Sequence, residues 1–100
     1  MYGTPTGSVL VTADRELIEA GKPVRVFNIN LISSGTTGGS TIALLNGGAT
    51  GTIYIKETGT VSTGKTFDYG INGHLFPSGC YVDVDANIVS ALISCMKLPG

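Results

Sequence analysis

One hundred residues with six basic and seven acidic side chains, one histidine, two cysteines and no tryptophan make a nearly neutral chain, formal net charge -1. A chain of this length buries about two thirds of its unfolded surface around one core, and its 13% of charged residues is well below the roughly 25% of ordinary soluble domains. The balance leaves no cationic excess to release counterions from nucleic acid or to hold an anionic lipid surface, so neither a nucleic acid nor a membrane is expected as a partner. The longest weakly polar run, residues 88–96, is about half of the roughly 20 residues that a membrane-crossing helix needs. The opening residues Met1, Tyr2, Gly3 and Thr4 carry neither the charge nor the apolar run of a targeting signal, so the chain reads as soluble and unprocessed.

In chain order, residues 1–8, rich in Gly and Thr, are expected to form a flexible arm, residues 9–96 a single β-sandwich domain, and residues 97–100 a tail. Strands are expected over 9–12, 24–32, 41–45, 52–57, 65–69, 80–84 and 88–95, short alternating runs separated by Gly, Pro, Asn and Asp clusters. Residues 14–20 also read as one or two helical turns, because acids lead, Leu17 and Ile18 follow, and Gly21 and Pro23 supply stop signals. As alternatives, residues 16–19 and the surroundings of Leu75 and Phe76 read as further strands.

Period-two alternation assigns faces. In 24–32, Phe27, Ile29 and Leu31 oppose Asn28 and Asn30; in 52–57, Ile53 and Ile55 oppose Tyr54 and Lys56; in 80–84, Cys80, Val82 and Val84 oppose Tyr81 and Asp83. The expected fold is therefore all-β, a single antiparallel β-sandwich, jelly-roll-like, with about eight short strands.

The run from Gly59 to Thr66, G-T-V-S-T-G-K-T, matches the phosphate-binding pattern G-x-x-x-x-G-K-[ST] at every fixed position. That chemistry needs a helix opening directly after the loop, to aim amides and dipole at the phosphates. The following Phe67, Asp68, Tyr69 and Gly70 have no helical period, so a hairpin turn with a solvated Lys65 is the reading. Asp83, Asp85 and Asn87 begin like a calcium loop, but Ile88 replaces the turn glycine and Ser94 the bidentate glutamate, so a turn after a strand is expected and no metal site.

His74 has no nucleophile at a recognised spacing and reads as a loop histidine. Cys80 and Cys95 read as buried free thiols. Asp14, Glu16, Glu19, Glu57 and Asp68 read as solvated charges rather than a catalytic carboxylate pair. No catalytic residue, cofactor or metal ligand is assigned. Tyr54 and Tyr81, both placed on solvent faces, are the candidate interface residues, because tyrosine is enriched where proteins meet.

The run from Lys22 to Ser33, then Ala43 to Gly47, Thr52 to Ile55 and Gly73 to Asp85, with its Leu75-Phe76-Pro77 and Gly79-Cys80-Tyr81-Val82-Asp83, resembles small β-sandwich virion proteins of tailed phages, particularly those of cyanobacteria. The likeness runs from about Val9 to Cys95 and rests on strand and turn signatures. What the resemblance implies is a jelly-roll-like, non-enzymatic virion protein: a head decoration (cement) or knob protein that binds the major capsid protein or other virion proteins as a symmetric homo-oligomer, a trimer being favoured. It carries over no functional residue. The alternative function is a tail-associated carbohydrate- or receptor-binding module, with Tyr54, Tyr69 and Tyr81 as stacking faces.

Overall fold

A computed structural model describes residues 7–33, 40–59, 65–85 and 88–98. Nine strands lie among them: β1 (Gly7–Val11), β2 (Arg15–Ile18), β3 (Val24–Ser33), β4 (Ser40–Asn46), β5 (Thr52–Gly59), β6 (Lys65–Asp68), β7 (His74–Phe76), β8 (Cys80–Val84) and β9 (Ile88–Lys97). They form two antiparallel sheets. Sheet A runs β1-β9-β3-β6, with β7 on another stretch of the same β3 edge, and sheet B runs β2-β8-β4-β5.

The pairings β1 with β9, β2 with β8, β3 with β6 and β4 with β5 are nested, first with last and inward to the middle. Shared out over two facing sheets, this is the wrapped order of a jelly roll. The short β7 makes nine strands where about eight were expected. Residues 15–18 are extended, not helical, because strand pairing with β8 buries Leu17 against the core. The Glu16 carboxylate then turns the chain by accepting the Ala20 N–H at 3.0 Å. Gly7 and Ser8, expected in the arm, pair with Cys95 and Ser94, and β9 reaches Lys97, expected in the tail. Residues 1–6 and 99–100, the remainder of those segments, lie outside the described residues.

The core lies between the sheets. Val24, Val26, Ile29 and Leu31 of β3 and Ala91 and Ile93 of β9 face Ile42 and Leu44 of β4 and Val82 of β8, with Phe76 the largest fully buried side chain. Two expected faces are corrected here, each by a β-bulge. On β3, Val26 opposes Cys95 and Asn28 opposes Ser94, which leaves Phe27 as the extra residue. The bulge reverses parity, so Val24 and Val26 point inward together with Ile29 and Leu31, while Phe27 is only partly buried. On β5, Ile55 opposes Leu44 but Ile53 opposes Leu45, so Tyr54 is the extra residue and Ile53 turns outward, 52% exposed.

At one end of the sandwich three turns lock together. Gly79 has φ of 105°, and a Cβ there would stand 3.0 Å from the Ala20 Cα, so neither the backbone angle nor the space admits another residue without strain. Its carbonyl accepts the Gly47 N–H at 3.0 Å, and the Ser78 carbonyl accepts the Gly21 N–H at 2.7 Å.

Cys80 on sheet B and Cys95 on sheet A are both buried in the core and free. Burial, and secondarily the neighbouring Cys95, push the Cys80 thiol up to about 12. Burial also raises Cys95, with Lys97 pulling in the opposite direction. Because both thiols hold their protons more tightly folded than unfolded, their contribution to stability is full below an unfolded value of about 8.5 and is lost as pH rises through the folded values. Alkylation at about pH 8 is therefore expected to label neither cysteine in the folded chain and both after denaturation, counted by intact mass.

Candidate interaction surface

Residues directly opposite one another across a ladder share a face, so strand register shows what each sheet presents outward. On sheet B one row reads Glu16, Tyr81, Leu45, Ile53 across β2, β8, β4 and β5, and the next reads Asp83, Ala43, Lys56. Tyr81 is half-buried in the first row and stands beside Leu45, which faces outward yet is only 8% exposed because its neighbours on both sides cover it.

Tyr54 does not join this patch. The bulge swings it to the open side of the sandwich, where its ring packs 5.4 Å from Phe76 and 5.6 Å from His74 while 40% of the residue stays exposed. His74, expected in a loop, starts β7, and its ring stands edge-on to Phe76 at 5.2 Å with its Nε2 buried and unpartnered among the described residues. Further along the same side the Tyr69 hydroxyl donates to Glu57 at 2.8 Å. Burial first, then that hydrogen bond and the Glu57 charge, push the Tyr69 phenol well above its ordinary range. Tyr54 and Glu57 belong to β5 of sheet B; Tyr69, His74 and Phe76 follow or form strands of sheet A. The contacts thus stitch the two sheets along one edge. Tyr54 and Tyr69 belong to this seam and Tyr81 to an outer face, so the three tyrosines do not make one stacking surface.

Sheet A presents a more apolar face. Leu10, 58% exposed, opposes Leu92, 37% exposed, and Ile32, 43% exposed, lies diagonally next to Leu92 through its pairing with Ser90. Around them stand uncharged polar groups: Asn30, whose side-chain oxygen accepts the Thr66 hydroxyl, and Ser8 with Ser94. None of the candidate tyrosines lies on this face. Its signal is the unbroken triplets Val9-Leu10-Val11 and Ala91-Leu92-Ile93, in which the central residue of a strand must face away from a core held by its neighbours.

The two sequence motifs resolve into strand structure. Lys65 and Thr66 lie in β6, where a nucleotide loop would begin a helix, and the Lys65 ammonium sits 5.2 Å from the Phe67 ring centroid. Residues 60–64 of that motif lie outside the described residues, as do Ala86 and Asn87 of the calcium-like run. Asp85 accepts the Thr41 N–H at 2.6 Å and Asp14 the Val84 N–H at 2.8 Å, so both carboxylates hold backbone. Partial desolvation, then Asp14 and Asp85, raise the Asp83 carboxyl above its usual range.

No protein-family model and no curated protein sequence matches this chain. Among solved structures, the fold is similar to a chain described under "Bacillus endospore appendages form a novel family of disulfide-linked pili", at 12% identity and a TM-score of 0.55, covering 99% of this chain and 92% of that one. Looser superpositions occur on PirA (TM-score 0.38, 16% identity, 92% and 83% of the two chains) and on the Tobacco streak virus coat protein (0.36, 12%, 97% and 91%), too low to bear on this chain. At such identity the appendage likeness shows a shared fold and nothing about activity.

If the seam stitches the sheets, Tyr69→Phe is expected to cost about 1 kcal/mol, the net worth of one hydrogen bond, in urea unfolding. A double-mutant cycle with Glu57→Gln is expected to show that the two losses are not additive.

Proposed function

We propose that this chain is a non-enzymatic structural protein of a virion, a head-decoration protein that covers the capsid lattice as a symmetric oligomer. The observation that carries the reading is the outward apolar group Leu10, Leu92 and Ile32 on sheet A, set among uncharged Asn, Ser and Thr side chains. Neighbouring exposed apolar side chains on strands that already have a full core behind them mark a surface made for contact. Tyr81, beside Leu45 and Ile53 on sheet B, gives a second and smaller surface for an adjoining subunit, and Tyr54 lies on the side between them. The appendage protein of similar fold belongs to a pilus by its own description, and the phage virion resemblance of the sequence points to a particle surface as well. Such a protein works by burying area across neighbouring subunits, which stabilises the lattice by linkage and needs no reactive group.

The test is co-sedimentation with capsids of the parent virus prepared without this chain. The unmodified chain is expected to bind saturably, and Leu92→Asp to weaken binding about tenfold or more, since about 1.4 kcal/mol of lost apolar burial gives that factor. Unchanged binding by Leu92→Asp, with folding verified by circular dichroism, would move the contact off this face. No saturable binding by the unmodified chain would end the decoration reading.

A further inference from the structure

All thirteen charged side chains lie among the described residues, so their distribution along the strands is complete. Strand register divides them at the level of Ile29, Leu44 and Val82. On the side where β8 turns into β9 lie Asp14, Glu57, Asp83 and Asp85 against Lys56 and Lys65, a net charge of -2. On the side where β3 begins and β9 ends lie Lys22, Arg25 and Lys97 against Glu16, Glu19 and Asp68; Arg15 stands opposite Val82 on the dividing level itself and lines the hollow of that end, which brings its net charge to +1. The sum is the -1 of the whole chain. Opposite net charge therefore gathers at the two ends of the strands.

Each end also has a hollow. The one at the cationic end is lined by Leu17, Ile18 and Leu98 with Arg15, Lys22 and Lys97 and with Glu16 and Glu19, so basic groups outnumber acidic ones by one. The one at the acidic end is lined by Val84 and Ile88 with Asp14 and Asp85 and holds no basic group. Every copy therefore carries both halves of one complementary contact. A polyanion such as nucleic acid would be repelled by one end while attracted to the other, whereas a second copy satisfies both.

We propose that copies of this chain associate head to tail, the Asp14 and Asp85 end of one seated against the Lys22 and Lys97 hollow of the next. This rests on the oligomer part of the reading above and identifies its contact. The two surfaces differ, so the contact is heterologous: it closes into a ring, a trimer included, if the rotation per copy divides a full turn, and grows as a filament if it does not.

The experiment is sedimentation velocity on three proteins: the unmodified chain, Lys22→Ala with Lys97→Ala, and Asp14→Asn with Asp83→Asn and Asp85→Asn. Asparagine keeps the carbonyl acceptors that hold the Val84 and Thr41 N–H groups while it removes charge, and circular dichroism checks that each variant is folded. The unmodified chain is expected to associate at about 50 mM salt and to weaken at least tenfold at about 500 mM. Each variant alone is expected to be monomeric, and an equimolar mixture to form a 1:1 dimer, because each retains one intact end. A monomeric unmodified chain, association that neither salt nor substitution weakens, or a mixture that stays monomeric overturns the proposal. Capsid co-sedimentation separates the two readings: self-association without capsid binding removes only the decoration role, and capsid binding by a chain that never self-associates removes only the head-to-tail contact.

Discussion

Because β3 and β9 are paired over almost their full ten residues, every other strand of sheet A is positioned by that one ladder. β1 takes the free edge of β9, and β6 and β7 divide the free edge of β3 between them. The bulge at Phe27 falls where the partner of β3 changes from β7 to β6, since Val26 opposes His74 and Asn28 opposes Asp68. One extra residue therefore turns both stretches of β3 inward and opens the space in which the seam closes: the Phe27 carbonyl accepts the Tyr69 N–H at 2.9 Å, which holds Tyr69 on the side of the sandwich that Glu57 occupies.

The same local device decides which surface the molecule shows. With regular alternation β5 would bury Ile53 and present Tyr54. The bulge instead puts Ile53 beside Leu45 on the outer face and lays Tyr54 over Phe76, so an aromatic seam closes one side of the core and an apolar row remains outside. Closing that side with Tyr54, His74 and Phe76 also covers the end of the short β7.

How far the sequence disclosed this depends on the range of the forces involved. Strand positions follow from local alternation and from turn residues, and the jelly-roll class was legible for that reason, as were the inward Cys80 and Val82 and the outer-face position of Tyr81. The bulges at Phe27 and Tyr54 were not legible, because an extra residue is defined only against a partner strand far away in sequence. The strand at residues 15–18 has the same explanation: acid-led residues with stop signals favour a helical turn locally, and burial of Leu17 beside β8 overrides it. Of the outward apolar residues, Leu10 and Leu92 were present as apolar triplets, while Ile32 and Ile53 depended on tertiary pairing.

The nested pairing has a temporal side. Gly7 finds its partner in Cys95 and Arg15 in Val82, so the outermost ladders join residues separated by most of the chain, and among the described residues only the pairing of β4 with β5 is local. Closing such loops costs entropy before any long-range contact repays it, which makes this a slow topology to form. During synthesis β3 waits without its main partner until residues 88–97 emerge, and neither the face built on β9 nor the cationic hollow beside Lys97 exists before then. The order of the strands thus postpones both of these outward features until the fold is nearly complete, so that a partly made chain presents neither.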